Sequence, residues 1–157
     1  MAQFIVRLGF VLVLLPASGI VLGQEPVADS ATDPVVAARQ VMNDFLTAFN
    51  ARDEAGWADT LLFPHIRMAS GEVMVYDDKT QFVASTDLDE FARANNWHHS
   101  EWDDIEVIQS GPHKVHFKVR FSRFNPEGER YATFDSLYVL QQVDGRWGIR
   151  ARSSFAP

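Results

Sequence analysis

The chain has 157 residues, 46% of them hydrophobic and 12% aromatic, with 14 Lys and Arg against 21 Asp and Glu and a formal net charge of −7. This length and apolar content predict one globular domain with a packed core and exclude an intrinsically disordered chain. No basic stretch is interleaved with aromatic residues, so nucleic acid is excluded as a partner, and the lack of cysteine excludes disulfides, thiolate metal sites and a cysteine nucleophile.

The first 23 residues have the pattern of a secretory signal peptide. Arg7 supplies the positive end, an apolar stretch follows, and Val21 and Gly23 are small enough for the −3 and −1 positions of a signal peptidase site. The alternative is a retained membrane anchor, but Pro16 interrupts a stretch already short for a bilayer core of about 30 Å. Cleavage after Gly23 predicts an exported protein, periplasmic or secreted, with no stable membrane anchor.

Residues 24–32 are small, polar and acidic, which is typical of a flexible tether, and the folded domain is expected to span 33–157. A long helix is predicted to begin near Pro34, because apolar residues then recur at steps of three and four. These residues are Ala38, Val41, Met42, Phe45, Leu46 and Phe49. Two shorter helices are expected over 53–62 and 85–96.

The rest of the chain has the pattern of strands and tight turns. "LLFPHIRMA" and "EVMVYDD", separated by "SG", predict a hairpin, and "SGP", "NPEG" and "DG" divide the region after Trp97 into a four-stranded meander. The strongest strand is "KVHFKVRFSRF", whose apolar and polar residues alternate. The order of elements predicts an α+β domain, with about three N-terminal helices packed in a curved, mostly antiparallel six-stranded sheet.

This order resembles the NTF2-like superfamily over about residues 33–156. "VMNDFLTAFNARDEAGWADTLLFPHIRMASGEV" is similar to the helical start and first strand of SnoaL-like members, and "LYVLQQVDGRWGIRARSSF" to their last hairpin. The resemblance implies a cone whose sheet wraps around the long helix and leaves a cavity open at one end, often in a dimer joined through the sheet. The superfamily holds ketosteroid isomerases, polyketide cyclases, dehydratases and binding domains, so the fold leaves the function open.

Ketosteroid isomerases and their relatives use a carboxylate base near the first strands, where this chain has only His65, Arg67 and Ser70. The isomerase mechanism is therefore not carried over. Alternation along the strand places His65 and Arg67 on one side, facing either a cavity or water. In this fold the first strand is expected beside the last, which leaves two sets of same-face neighbours open. They are Trp147, Ile149 and Ala151, or the cationic Arg150 and Arg152.

A cluster of Arg67 and Arg150 would suit a carboxylate or another anionic oxygen group, because guanidinium pairs with it through a two-point fork. Asp135 lies in an apolar strand and is a candidate base, with a cross-strand ion pair to an arginine as the alternative. His65 is a second candidate base, with a hydrogen-bonded structural histidine as the alternative. Tyr76 and Tyr138 are candidates to offer hydroxyls to the cavity wall, or to be ordinary core residues.

Trp97, with Trp57 and Trp102, is a candidate for an aromatic surround of an apolar ligand, while core packing or a dimer surface explains these residues equally well. No metal site is predicted, because the adjacent His98 and His99 would point to opposite faces of a strand. Nucleophile elbows and phosphate loops are likewise absent from the sequence, and no cofactor is expected.

Three functions remain open from the sequence. The first is an exported module that holds an apolar or weakly acidic small molecule, with His65 and Arg67 orienting its polar end. The second is a SnoaL-like lyase or isomerase in which His65 or Asp135 moves a proton and Arg67 or a tyrosine stabilises the oxyanion. The third is a dimeric interaction domain that uses the outer sheet face, which His116, Lys118, Arg120 and Arg123 would make basic.

Overall fold

The computed structural model describes residues 33–157, and the predicted signal peptide and tether lie outside the described residues. A six-stranded sheet has the order β2-β1-β6-β5-β4-β3, with every neighbouring pair antiparallel except the parallel pair β1 and β6. The strands are β1 (Leu61–Ala69), β2 (Glu72–Tyr76), β3 (His99–Gly111), β4 (Lys114–Phe124), β5 (Arg130–Val143) and β6 (Arg146–Ser154). The α+β class, the six strands and the pairing of the first strand with the last are confirmed.

The helices pack against the inner face of this sheet. They are α1 (Pro34–Ala51), α2 (Glu54–Asp59), α3 (Lys79–Ala84) and α4 (Leu88–Asn95). Asp33 caps α1 by accepting a hydrogen bond from the Val35 backbone N–H at 2.8 Å, and Pro34 occupies the first turn, where its missing N–H costs nothing. The short α3 is an addition to the helices expected from the sequence, and it contributes the buried Phe82.

The core lies between α1 and the sheet. Ala38, Met42 and Phe45 form the buried side of α1, as their spacing predicted. From β4, Val115, Phe117, Val119 and Phe121 are buried while the residues between them are polar, so the alternation in this strand is also confirmed. The predicted turns join the strands, and Asp144 and Gly145 both have positive φ in the β5–β6 hairpin.

A β-bulge at Arg150 decides which residues of β6 face the core. Val139 pairs with Ala151, whereas the next residue, Leu140, pairs with Ile149, so Arg150 has no partner on β5. Because a bulge adds one residue, it reverses the alternation on either side of it. Ile149 and Arg152 consequently both lie on the inner face, although they are three residues apart.

Within residues 33–157, no helix is long and apolar enough to cross a membrane.

Candidate functional site

Two arginines lie side by side on the inner face, where the first and last strands meet. Arg67 of β1 is directly opposite Arg152 of β6, and Arg152 is directly opposite Tyr138 of β5. Arg67 Nη1 donates to the Met74 sulfur at 3.6 Å, and its Nη2 donates to the Pro157 carbonyl oxygen at 3.4 Å. The pairing of β1 with β6 and of β6 with β5 therefore places Arg67, Arg152 and Tyr138 in a row across the inner face of the sheet.

Arg123 of β4 is the third arginine of this cluster, whereas the sequence-based interpretation places it on a basic outer face of the sheet. That interpretation is wrong, because Arg123 is only 7% exposed and lies on the inner side. Its guanidinium carbon lies 4.9 Å from the ring centroid of Phe91 and 5.0 Å from that of Phe134. The alternation that buries Phe117 and Phe121 continues to position 123, so the sequence carried this signal.

The three arginines line a cavity made of two adjoining chambers. The inner chamber, between α1 and the sheet, has a volume of about 40 Å³, and the outer chamber has about 240 Å³. Five wall residues belong to both chambers: Phe49, Trp57, Arg67, Arg123 and Arg152. The inner chamber is otherwise lined by Phe45, Leu46, Ser100, Trp102, Phe121, Tyr138, Ser154 and Ala156. The arginines thus lie where the two chambers join.

No Asp or Glu side chain among residues 33–157 forms an ion pair with Arg67, Arg123 or Arg152. Asp87 lines the outer chamber, but its carboxylate caps α4 by accepting from the Glu90 N–H at 2.7 Å. Burial lowers the pKa of Arg67, and the neighbouring Arg152 lowers it further; both effects also act on the pKa of Arg123. The cluster is consequently a region of positive charge that no Asp or Glu side chain of residues 33–157 neutralises.

Four buried N–H donors in the inner wall have no hydrogen-bond partner within the described chain. They are the indole Nε1 of Trp57 and Trp102 and the guanidinium Nε of Arg123 and Arg152. A buried donor left unpaired costs about 1–3 kcal/mol, and more when it is charged. All four groups can only donate, so the partner that this wall suits is an acceptor.

His65 is on the same face of β1 as Arg67 but belongs to the wall of neither chamber. It is fully buried, with Nδ1 3.0 Å from the Ile149 carbonyl oxygen. A carbonyl oxygen only accepts, so Nδ1 carries the proton and Nε2, which has no partner in the described chain, holds a free lone pair. Desolvation by burial, with Arg152 adding to it, lowers the pKa of His65 to about 3.

The structure brings some of the other candidate residues to the cavity and not others. Tyr138 lies in the inner wall, and Tyr76 lies in the outer wall. Burial raises the pKa of Tyr138, while Arg152 acts in the opposite direction. Trp97 is buried outside both walls and donates to Ser100 Oγ at 3.0 Å.

Asp135 and Arg150 lie outside both chamber walls. Asp135 accepts two hydrogen bonds from the exposed Arg120, at 2.9 and 3.2 Å, which is the cross-strand ion pair given as the alternative to a base. Arg120 holds the pKa of Asp135 below its usual value. Arg150 donates to Gln141 Oε1 and to the Pro64 carbonyl oxygen, so of the two cationic neighbours left open for Arg67, the structure places Arg152 beside it.

The adjacent histidines do not diverge as expected, because β3 begins at His99 and leaves His98 outside the strand. Their Nδ1 atoms are 3.0 Å apart. Residues 33–157 contain no group of three or more His, Asp or Glu side chains arranged to hold a metal ion.

Comparison with solved structures shows the same fold in proteins of low sequence identity. One is an NTF2-like protein with a cystatin-like fold from Novosphingobium aromaticivorans, 8% identical, with a TM-score of 0.64 over 78% of this chain and 81% of that one. Another is a ketosteroid isomerase-like protein from Erwinia carotovora atroseptica, 17% identical, with a TM-score of 0.57 over 81% of this chain and 100% of that one.

A third is a protein of unknown function with a cystatin-like fold from Nostoc punctiforme, 9% identical, with a TM-score of 0.63 over 78% of this chain and 90% of that one. The search of curated proteins found no significant match. The model of the family described as "NTF2-like protein (DUF6841)" matches residues 33–155. The chain therefore belongs to this NTF2-like family, as the order of its helices and strands predicted.

Proposed function

We propose that this protein is an exported small-molecule-binding domain whose cavity holds an apolar or weakly acidic ligand. The observation that carries the proposal is the cluster of Arg67, Arg123 and Arg152 at the junction of two chambers. Arg123 is buried and the other two are half-buried, and none of them has an Asp or Glu partner in the described chain. Buried charges in proteins are ordinarily paired, and a bound acidic molecule would supply the missing partner. The aromatic walls around the arginines would receive its apolar part.

Native mass spectrometry of protein purified gently from the exported fraction of its source cell tests this proposal. We expect a defined adduct on the wild-type protein and its loss from Arg67→Ala, because that substitution removes one of the three cations that line the cavity. The matched control is Arg120→Ala, which removes an exposed arginine that is paired with Asp135 outside the cavity. Equal adduct occupancy in Arg67→Ala and the control would contradict the proposed site.

A second candidate function is the SnoaL-like lyase or isomerase, and the observation that favours it is the free Nε2 lone pair of neutral His65. The His65 ring centroid lies 6.3 Å from that of Tyr76, a residue of the outer wall. If this lone pair takes a proton from the bound molecule, His65→Gln should abolish conversion of the molecule found in the adduct while sparing its binding. Mass spectrometry of the reaction mixture measures this conversion. Full conversion by the His65→Gln variant would show that His65 is not the base.

We also propose that the protein is a homodimer joined through the outer face of its sheet. Val73, Met68 and Leu137 are exposed there by 69%, 39% and 48%, on strands that lie close together in the sheet. Val73 is directly opposite Met68, and Ser153 separates Met68 from Leu137, so the apolar residues continue across the strands. Such a face is suited to burial against a second copy.

Sedimentation at micromolar concentration should therefore report a dimer that Met68→Glu converts to a monomer, because a charge would be buried in the contact. Ile108→Glu is the matched control, since Ile108 is 49% exposed on β3 at the opposite edge of the sheet. A monomeric mass for the wild-type protein would count against the dimer.

A further inference from the structure

We infer that the ligand of this cavity is an organic carboxylic acid whose carboxylate occupies the inner chamber, with its uncharged body in the outer chamber. The inference deepens the proposed binding function and rests on it. Three properties of the inner chamber support it: the number of its free donors, its size and the way its arginines are held.

The unpaired buried polar atoms of the residues that line the inner chamber are all donors. Four of these residues, Trp57, Trp102, Arg123 and Arg152, each carry a buried N–H group without a partner in the described chain. An ionised carboxylate offers about four lone-pair sites on its two oxygens and no donor. The hydroxyl of an alcohol would add a further donor next to donors that already have no acceptor, and it has no negative charge to pair with the arginines.

The size of the inner chamber restricts the group that enters it. Its volume of about 40 Å³ exceeds the about 10–15 Å³ that one water needs, and it is much smaller than the about 240 Å³ of the outer chamber. The inner chamber is therefore suited to a small head group and the outer chamber to the body of the ligand. Among common organic anions, a carboxylate has the smallest head group, with fewer non-hydrogen atoms than a sulfonate or a phosphonate.

The guanidinium groups of two of the arginines lie over aromatic rings. The Arg152 guanidinium carbon lies 5.1 Å from the Trp57 ring centroid and 5.4 Å from that of Phe45. Arg123 is held in the same way against Phe91 and Phe134. A cation–π contact positions a guanidinium but supplies no anion, so a carboxylate that pairs with it through a two-point fork would complete its interactions.

The outer chamber suits the body of the ligand. Its volume of about 240 Å³ is several times that of the inner chamber, and Tyr76, Phe82, Leu88 and Phe91 supply apolar wall. Asp87 lies in the same wall and would repel a second anionic group placed beside it. A ligand with one acidic end and an uncharged, mostly apolar body satisfies both chambers.

Calorimetric titration of the purified protein with matched probes tests the inference. The probes are benzoate, 3-phenylpropionate and octanoate, each compared with the alcohol and the sulfonate of the same body. We expect at least one acid to bind about 10-fold or more tightly than its alcohol and its sulfonate, since each factor of 10 is about 1.4 kcal/mol.

Two variants locate the carboxylate within the cavity. Trp102→Phe removes one free indole N–H from the inner wall and keeps an aromatic ring there, so it should weaken the acid about 10-fold and leave the alcohol unchanged. Trp147→Phe is the matched control, because Trp147 belongs to the wall of neither chamber. Circular dichroism checks that both variants are folded.

Each remaining outcome overturns the inference. Alcohols or sulfonates that bind as tightly as the acids would contradict the carboxylate assignment but not small-molecule binding. Equal affinity of the acid for Trp102→Phe and Trp147→Phe would have the same meaning. If no probe binds, the carboxylate assignment fails, and the proposed function fails with it only when native mass spectrometry also finds no adduct.

Discussion

Between pH 6.5 and pH 3 the protein is expected to lose up to about 1.4 kcal/mol of unfolding free energy per pH unit through one side chain, His65. His65 is fully buried, and desolvation with the nearby Arg152 lowers its folded-state pKa from 6.5 to about 3. In the unfolded chain its pKa returns to the ordinary value. The folded imidazole is therefore neutral at a pH where the unfolded one is already protonated.

The sign follows from which state binds the extra proton. Below pH 6.5 the unfolded chain gains a proton at His65 that the folded chain does not, so acid favours unfolding. The contribution of His65 is complete above pH 6.5 and is lost as the pH falls through about 3. Over that window the expected loss is on the order of 4 kcal/mol, a large part of the stability of an ordinary domain.

Urea unfolding at a series of pH values measures this loss. The difference between wild type and His65→Gln isolates it, because the carboxylates titrate equally in both proteins. His116→Gln is the matched control, since His116 is near the surface and 3.1 Å from Gln109 Oε1. Wild-type and His65→Gln curves that run parallel from pH 7 to pH 4 would show that His65 is protonated in the folded protein.

Substitution of Arg152 by methionine is expected to stabilise the ligand-free protein and to abolish ligand binding. Arg152 lies beside Arg67 with no ion-pair partner in the described chain. Methionine keeps an unbranched apolar stem against Trp57 and Phe45 and removes the half-buried charge. Replacing buried ions by apolar residues of similar size commonly stabilises proteins by 1–4 kcal/mol, and we expect about 1–2 kcal/mol here.

The same substitution should weaken the binding of an acidic ligand by at least about 30-fold, because loss of a buried charged partner costs about 2 kcal/mol or more. Thermal or urea unfolding without ligand gives the first effect, and calorimetry with the tightest acid gives the second. Arg120→Met is the matched control, and it should change the stability little and the affinity not at all, because its ion pair with Asp135 is exposed. An Arg152→Met protein that is less stable than wild type without ligand would show that the arginine is satisfied within the protein itself.

Local patterns predicted most of the fold. The alternation in β4 and the spacing of Ala38, Met42 and Phe45 in α1 report which side of an element is buried, and both agree with the structure. The order of elements also sufficed for the family. The same alternation indicates that Arg123 faces inward. The position of this residue in the site can therefore be predicted from the sequence.

Local patterns do not predict that Arg152 lies beside Arg67 on the inner face. Alternation counted forward from Ile149 would turn Arg152 outward, and no residue pattern in the sequence indicates the bulge at Arg150 that turns it inward. The pairing of Arg67 with Arg152 also depends on a register between strands about 85 positions apart in the chain, with a further irregularity between Leu61 and Ile66. The arginine cluster forms only because the bulge at Arg150 and the register between β1 and β6 occur together.

The sequence by itself determined the α+β class, the elements that periodicity and turn residues report, and the family, because these depend on interactions between residues close together in the chain. Only the tertiary structure decided that Arg67, Arg123 and Arg152 meet at one cavity, that His65 lies behind its wall and that Asp135 pairs with Arg120 elsewhere. The physical reason is that β-sheet pairing joins distant segments, and a one-residue bulge reverses the direction of the side chains that follow it.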